Sequence, residues 1–197
     1  MQLTLGGLPE SAACAWLRHA LHDICTATLA WRHSFPLDVP ENWDGEDIAI
    51  PPAAIPYGAV EPCQLIAMRA GASEVSCRFL FRPPRAIALS PECAAAGIVP
   101  PIAGTTVRVV LAMAPDSQGD SLEEIPPAVM RELAGAAVPL AASLAAGQQK
   151  RPWSDAGTAA SARAEYRAQL SALEYRLVRR HAAADLVPRF ARPIGEE

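Results

Sequence analysis

The chain has 197 residues, enough for one compact domain or two small ones. Its 17 basic and 21 acidic residues give a net charge of −4, which disfavours general nucleic-acid binding because such binding needs a dense positive surface. Hydrophobic residues make up 51% of the chain, but 40 residues are alanine, so we expect a helix-rich core of small side chains. Lys150 is the single lysine, which leaves almost no amine for Schiff-base chemistry.

The cysteines and the hydropathy pattern indicate a cytoplasmic chain. The five cysteines are an odd number with no CxxC spacing, and no basic-then-apolar leader precedes them, so we expect reduced thiols. The longest uncharged helical stretch, residues 133–146, contains Pro139 and is shorter than the roughly 20 residues that a membrane span needs. We therefore predict no membrane-spanning segment.

The N-terminal region has apolar residues at helical spacing. Leu17, Leu21 and Ile24 recur at i, i+4 and i+7, and Pro9 fits the first turn of a helix. The pattern predicts an amphipathic helix of about twenty residues. We expect its polar arc to comprise Arg18, His19, His22, Asp23 and Thr26.

The middle of the chain has a strand-like pattern. Fourteen of the 19 prolines lie between residues 36 and 127, and apolar residues there alternate with a period of two. This predicts a small antiparallel sheet. Its expected strands are residues 3–5, 63–69, 74–82, 86–90 and 105–114, with a hairpin turn at residues 70–73.

The last third of the chain is expected to be helical. One helix is predicted from Ala128 to Ala137, with a second alanine-rich segment that follows to Gly147. The final helix has a narrow apolar stripe of Tyr166, Leu170, Leu173, Leu177 and Ala184. We thus predict an α+β fold: an N-terminal amphipathic helix, a small central antiparallel sheet and a helical C-terminal part. Residues 1–120 form the helix-plus-sheet domain, and residues 121–197 form a helical region that packs on it.

Motifs for catalysis and metal binding are absent from the sequence. There is no GxSxG, GxGxxG, GxxxxGK or HExxH motif. His19, His22 and Asp23 lie close enough on a helix for a metal or acid–base pair. A metal site needs at least three protein ligands, however, and the polar face of any surface helix carries residues of this kind. Cys93 lies in a proline-bounded loop, so its sequence context is compatible with an exposed, reactive thiol. A small buried side chain is the simpler interpretation. We predict no catalytic residue, no metal site and no cofactor in this chain.

An acidic segment surrounds Trp43. Glu41, Asp44, Glu46 and Asp47 lie within seven residues. Such carboxylates could bind a cation, but the spacing is not that of an EF-hand, and a solvated loop is the simpler interpretation.

An arginine cluster is the strongest candidate for a binding site. Arg78, Arg82 and Arg85 lie within eight residues, and alternation along the predicted 74–82 strand places Arg78 and Arg82 on its outward face. Guanidinium groups bind carboxylates in a bidentate manner and are enriched at protein interfaces. We predict that these three arginines contact a partner protein or peptide. The alternative is a charged sheet face that prevents edge pairing.

The chain has, in order, a predicted helical N-terminus, the segment WRHSFPL at residues 31–37, a short-stranded middle with FRPPR at residues 81–85, and a predicted helical C-terminus. In this layout it resembles the MbnC family, the partner proteins of methanobactin biosynthesis. The resemblance covers the whole chain as a layout and carries over no functional residue. The resemblance implies a non-catalytic protein that pairs with an iron-dependent oxidase and helps hold a peptide precursor.

These observations favour a non-catalytic partner or adaptor subunit. Its expected partners are another protein subunit, such as a metallo-oxidase, and a peptide, with neither nucleic acid nor membrane. Two other classes stay open. A small stand-alone enzyme would need its histidines, Cys93 and acidic segment to converge in space, whereas a homodimeric structural or regulatory protein would use the C-terminal stripe as its seam.

The lack of a metal motif gives a first prediction. The purified chain should retain no stoichiometric metal after dialysis against a chelator, because no three-ligand set has recognisable spacing. Elemental analysis of the dialysed protein is the measurement. One equivalent of retained zinc or iron would contradict the prediction.

Overall fold

The helices and strands form two compact units. A computed structural model describes residues 5–55, 60–71, 73–75, 78–83, 85–116, 122–123 and 125–182. The helical unit comprises Met1–Ala30 and Ala114–Glu197, and the sheet unit comprises Trp31–Met113. Within these described residues, four helices and two small antiparallel sheets confirm the α+β fold class. This division differs from the predicted boundary at residue 120, because the N-terminal helix groups with the C-terminal helices.

The helical unit is built from three long helices. They are α1 (Glu10–Thr28), α3 (Pro127–Ala146) and α4 (Ala156–Ala182), and α3 packs against both α1 and α4. The predicted N-terminal helix is confirmed. It begins directly after Pro9 and ends at Leu29, a left-handed residue whose N–H donates to Cys25 O.

The alanine-rich helix α3 continues through Pro139. The sequence suggested two helical segments here, but the structure has one 20-residue helix. The small side chains of Ala137, Ala141 and Ala145 are fully buried, which lets neighbouring helices approach closely. Because the helix runs on through Pro139, the predicted interruption there was wrong. By length and composition α3 is long and apolar enough to cross a membrane, and a core helix of a soluble protein meets the same criteria. In the structure α3 contacts both α1 and α4.

The sheet unit contains two antiparallel sheets. The first has the order β1-β7-β3-β4 and the second the order β2-β6-β5. The strands are β1 (Arg32–Asp38), β2 (Ile48–Ala49), β3 (Val60–Ala70), β4 (Ser73–Glu74), β5 (Phe79–Arg82), β6 (Ala86–Leu89) and β7 (Thr106–Pro115). A 3₁₀ turn at Pro52–Ala54 follows β2, and the short helix α2 (Pro91–Ala95) follows β6. Residues 3 and 4 of the predicted edge strand lie outside the described residues.

The strand β7 confirms the predicted apolar face, although from Leu111 to Pro115 both faces are buried. Val107, Val109, Leu111 and Met113 are all fully buried. Its neighbour β1, which the sequence analysis did not predict, is an edge strand of the first sheet. Met113 N–H donates to Trp31 O, and Val39 N–H donates to Thr105 O.

This hydrogen-bonding pattern explains why β1 tolerates a proline. The bonds to β7 fall on the odd-numbered residues of β1, as Trp31 and Val39 show. Pro36 is at an even position, so its missing N–H faces away from β7 and costs the sheet no hydrogen bond.

The predicted strand at residues 74–82 is wrong as a single element. Its first part is β4, which pairs back on β3 with Glu74 opposite Arg69 and confirms the predicted hairpin. Its last part is β5, which belongs to the second sheet and pairs with β6. Between them Arg78 N–H donates to Val75 O in a turn, so side-chain alternation does not run through from Glu74 to Arg82.

The buried stripe of α4 gives a stability prediction. Leu173 has 1% of its surface exposed, so Leu173→Ala should lower the free energy of unfolding by about 2–5 kcal/mol through lost burial and a residual cavity. The matched control is Val178→Ala on the same helix at 36% exposure, which should change it by no more than about 0.5 kcal/mol. Chemical denaturation of both variants checks this. Equal effects would show that the stripe is not packed.

Candidate functional site

Two loops meet at one end of the first sheet. The acidic loop, residues 39–47, follows β1, and a second loop, residues 96–105, precedes β7. Since β1 and β7 are antiparallel neighbours, these loops leave the sheet side by side. A hydrogen bond of 3.1 Å from Gly104 N–H to Pro40 O joins them. The sheet pairing therefore positions the acidic loop.

Trp43 anchors the acidic loop from inside. Its side chain is buried, its Nε1–H donates to Glu46 O at 2.7 Å, and its ring centroid lies 5.9 Å from that of Phe79. Burying a large aromatic ring with its N–H satisfied holds the loop in one conformation. Trp43 thus supports the loop, while the carboxylate-bearing residues around it remain exposed.

The acidic loop lines a cleft of about 500 Å³. Three carboxylates of the loop and the Asp38 carboxylate border it, together with a few apolar side chains. Asp38 is held by a 2.6 Å hydrogen bond from Thr106 Oγ1. The complete lining is Asp38, Pro40, Asn42, Trp43, Asp44, Glu46, Asp47, Ile48 and Ala49.

An ion pair joins the acidic loop to the predicted arginine cluster. Arg82, at the end of β5, lies 2.6 Å from Asp47 Oδ2 through its Nη1. Both side chains are exposed, so the pair contributes only about 0–1 kcal/mol to stability. Its main consequence is orientation, since it fixes the Arg82 guanidinium beside the cleft. Local sequence patterns do not reveal this pair because its members are 35 residues apart.

The other two predicted arginines lie at opposite ends of the β5–β6 hairpin, Arg78 at its open end and Arg85 at its turn. Arg78 directly precedes β5 and is exposed, while Arg85 directly precedes β6 and is half-buried. Arg85 O accepts a hydrogen bond from Ile50 N–H, which fixes its backbone. In the part of the chain that the structure describes, neither guanidinium group forms an ion pair or hydrogen bond.

The histidines are distributed over both units. His19 and His22 lie on α1 in the helical unit, where His19 Nε2 is 3.6 Å from Asp23 Oδ2 and His22 Nδ1 bonds Pro115 O at 2.8 Å. In the sheet unit, His33 Nε2 bonds Ala54 O at 2.8 Å. Among the described residues, no three His, Cys, Asp or Glu side chains are grouped so that they could hold a metal ion.

Arg18 departs from the predicted polar arc of α1. Its side chain is only 1% exposed, and its Nε–H donates to the backbone oxygen of Asp116. A buried guanidinium needs such acceptors to offset its desolvation. Spacing placed Arg18 on the solvent side, but this tertiary contact overrides the periodic pattern.

The described cysteines are free thiols. Cys25 is fully buried, whereas Cys14, Cys63 and Cys93 are half-buried. Cys93 lies in the first turn of α2, where its backbone N–H donates to Ser90 Oγ. Cys63 Sγ donates to Ala112 O, and burial raises the pKa of the Cys63 thiol to about 11.

The apolar stripe of α4 packs against other residues of the same chain. Leu173 and Leu177 are buried in the helical unit, where α4 packs against α3, and Leu170 is half-buried. Burial of Leu173 and Leu177 confirms that part of the prediction, whereas Ala184 lies outside the described residues. The central leucines are therefore not available as a dimer seam.

No protein-family model matches the chain, and no curated protein sequence matches it. The resemblance to the MbnC family stays a prediction.

The raised pKa of Cys63 predicts its reactivity. At pH 8 only about one Cys63 in a thousand is thiolate, against about one in ten for a thiol with the ordinary pKa of 9.0, so native Cys63 should be alkylated about a hundredfold more slowly than in urea. Because the folded state holds this proton more tightly, its contribution to stability should fall as the pH rises from about 9 to about 11. Mass spectrometry of iodoacetamide-treated protein measures the rates, and equal rates in both states would contradict the prediction.

Proposed function

We propose that this chain is a non-catalytic partner subunit that binds another protein through the sheet unit. The binding surface is the arginine surface, defined as Arg78, Arg82 and Arg85. The observation that supports it most is the state of these guanidinium groups. Arg82 is oriented by Asp47, and within the described residues the Arg78 and Arg85 guanidinium groups have no partner in the chain.

A carboxylate-rich segment suits this surface chemically. Arginine presents several N–H donors in a planar fork that matches a carboxylate. Contacts on a wet rim would contribute only about 0–1 kcal/mol each, whereas a desolvated pair contributes a few kcal/mol. The arginine surface therefore contributes strongly where a partner excludes water from Arg78 and Arg85.

Other features favour binding over the two alternative classes. The enzyme alternative depended on convergence of the histidines with Cys93 and the acidic segment, but His22 and His33 each bond a backbone carbonyl. The homodimer alternative depended on a free stripe, but Leu173 and Leu177 are buried. On the resemblance to the MbnC family, the partner would be an iron-dependent oxidase that modifies a peptide precursor in the cytoplasm.

Affinity purification from the native host tests this proposal. The tagged baits are the wild type, the double variant Arg78→Ala/Arg85→Ala, and a separate control, Arg108→Ala/Arg167→Ala. The control loses two other exposed arginines and keeps Arg78 and Arg85. We expect a stoichiometric partner with the wild type and the control. Its affinity, measured by calorimetry, should be at least about tenfold weaker for Arg78→Ala/Arg85→Ala at an unchanged melting temperature. Unaltered affinity, or no stoichiometric partner, would refute the proposal.

A further inference from the structure

Two exposed apolar side chains form a ridge beside the acidic loop. Four large apolar side chains are exposed in the described residues, and Ile98 at 49% and Val99 at 45% are consecutive. The other two, Tyr175 and Val178, lie on α4, where the Arg179 guanidinium covers the Tyr175 ring at 4.5 Å. We call residues 98–99 the apolar ridge. No charged residue occurs from position 93 to position 107, so no neighbouring residue in the sequence can cover the ridge as Arg179 covers Tyr175.

The backbone holds the ridge in a fixed position. On its N-terminal side α2 ends in a Schellman motif, with Ile98 N–H donating to Cys93 O at 2.9 Å and Gly97 N–H donating to Ala94 O at 3.2 Å. Gly97 has a φ of +65°, which this motif requires. On the other side Ile102 is 1% exposed and anchors the loop. A pre-organised apolar ridge loses little entropy when a partner binds.

The apolar ridge is continuous with the acidic loop. A Cβ on Gly45 would lie 3.4 Å from Val99 Cγ2 and 3.1 Å from Leu89 Cδ1, so Val99 packs directly on the loop. Gly45 has a φ of +111°, so both its conformation and its surroundings require glycine. Asp44 and Glu46, the neighbours of Gly45, are exposed carboxylates next to this contact.

We infer that the apolar ridge and the acidic loop together dock a partner segment that carries lysine or arginine next to apolar side chains. Charge complementarity decides the occupant. Five carboxylates lie between Asp38 and Asp47, and the ion pair with Arg82 offsets one of them. Two consecutive exposed apolar side chains offer a contact for the partner's apolar residues, and the adjacent cleft of about 500 Å³ is large enough for a long cationic side chain. This inference rests on the proposed function, since it adds a second contact for the same partner.

Labelled peptides test this inference on the full chain. Three fluorescein-labelled peptides share the same leucine positions and carry lysine, glutamine or glutamate at the polar positions. Fluorescence anisotropy should show the tightest binding for the lysine peptide, with affinity that falls as salt screens the carboxylates. Equal binding of the glutamate peptide would overturn the inference.

Variants locate the peptide on the surface. Asp44→Asn/Glu46→Gln and, separately, Ile98→Ser should each weaken lysine-peptide binding at least about tenfold. The control Glu165→Gln/Glu174→Gln, which removes two exposed carboxylates from α4, should bind as the wild type does. Unchanged binding by the first two variants would overturn the inference.

Two further results separate this inference from its alternatives. Self-association of the wild type that Ile98→Ser abolishes in sedimentation would assign the ridge to a second copy of the chain and overturn the inference. Arg78→Ala/Arg85→Ala should leave lysine-peptide binding intact. If the peptide fails to bind while the co-purified partner still requires Arg78 and Arg85, this inference is wrong and the proposed function stands.

Discussion

The antiparallel pairing of β1 with β7 is the constraint on which the candidate site depends. The register runs from Arg32 opposite Ala112 to Asp38 opposite Thr106. Slipping it by one residue would move Phe35 and Leu37, both buried, to the solvent-facing side of the strand. Burial of these side chains therefore fixes the register. The register in turn places the acidic loop after β1 beside the loop before β7.

The sheet unit therefore carries a negatively charged surface and a positively charged one next to each other. The Asp47–Arg82 ion pair links the acidic loop to the arginine surface. A partner that satisfies both needs carboxylates for Arg78 and Arg85, and a cationic, apolar segment for the acidic loop and the ridge. The need for opposite charges at two neighbouring surfaces gives specificity. A partner of uniform charge would face like charges at either the arginine surface or the acidic loop.

Periodicity predicted the elements in which one face is buried throughout. The helix α1 and the strand β7 each have one fully buried face, so their spacing was informative. It failed where contacts distant in sequence decide the structure. Pro36 obscured the strand β1, although Phe35, Leu37 and Val39 alternate as a strand should and could have revealed it. Arg18 is buried because it reaches the backbone of Asp116, almost a hundred residues away.

The same limits apply to the candidate site. The arginine cluster and the acidic segment are separate features in the sequence, because nothing local indicates that Asp47 and Arg82 pair. The break between β4 and β5 also removed the alternation argument for Arg78 and Arg82, so the case for these residues now depends on their exposure and pairing. Sequence periodicity could not predict the apolar ridge, because Ile98 and Val99 lie in a loop, where side-chain direction does not follow a repeat.

Hydrogen–deuterium exchange of the chain, free and in the complex isolated from the native host, locates the partner contact on one of the two units. If the sheet unit carries the partner contact, exchange should slow in residues 41–47, 78–85 and 97–101 upon complex formation, because a partner that covers these loops shields their amides from water. Protection confined to α1, α3 and α4, with those three loops unchanged, would contradict the account.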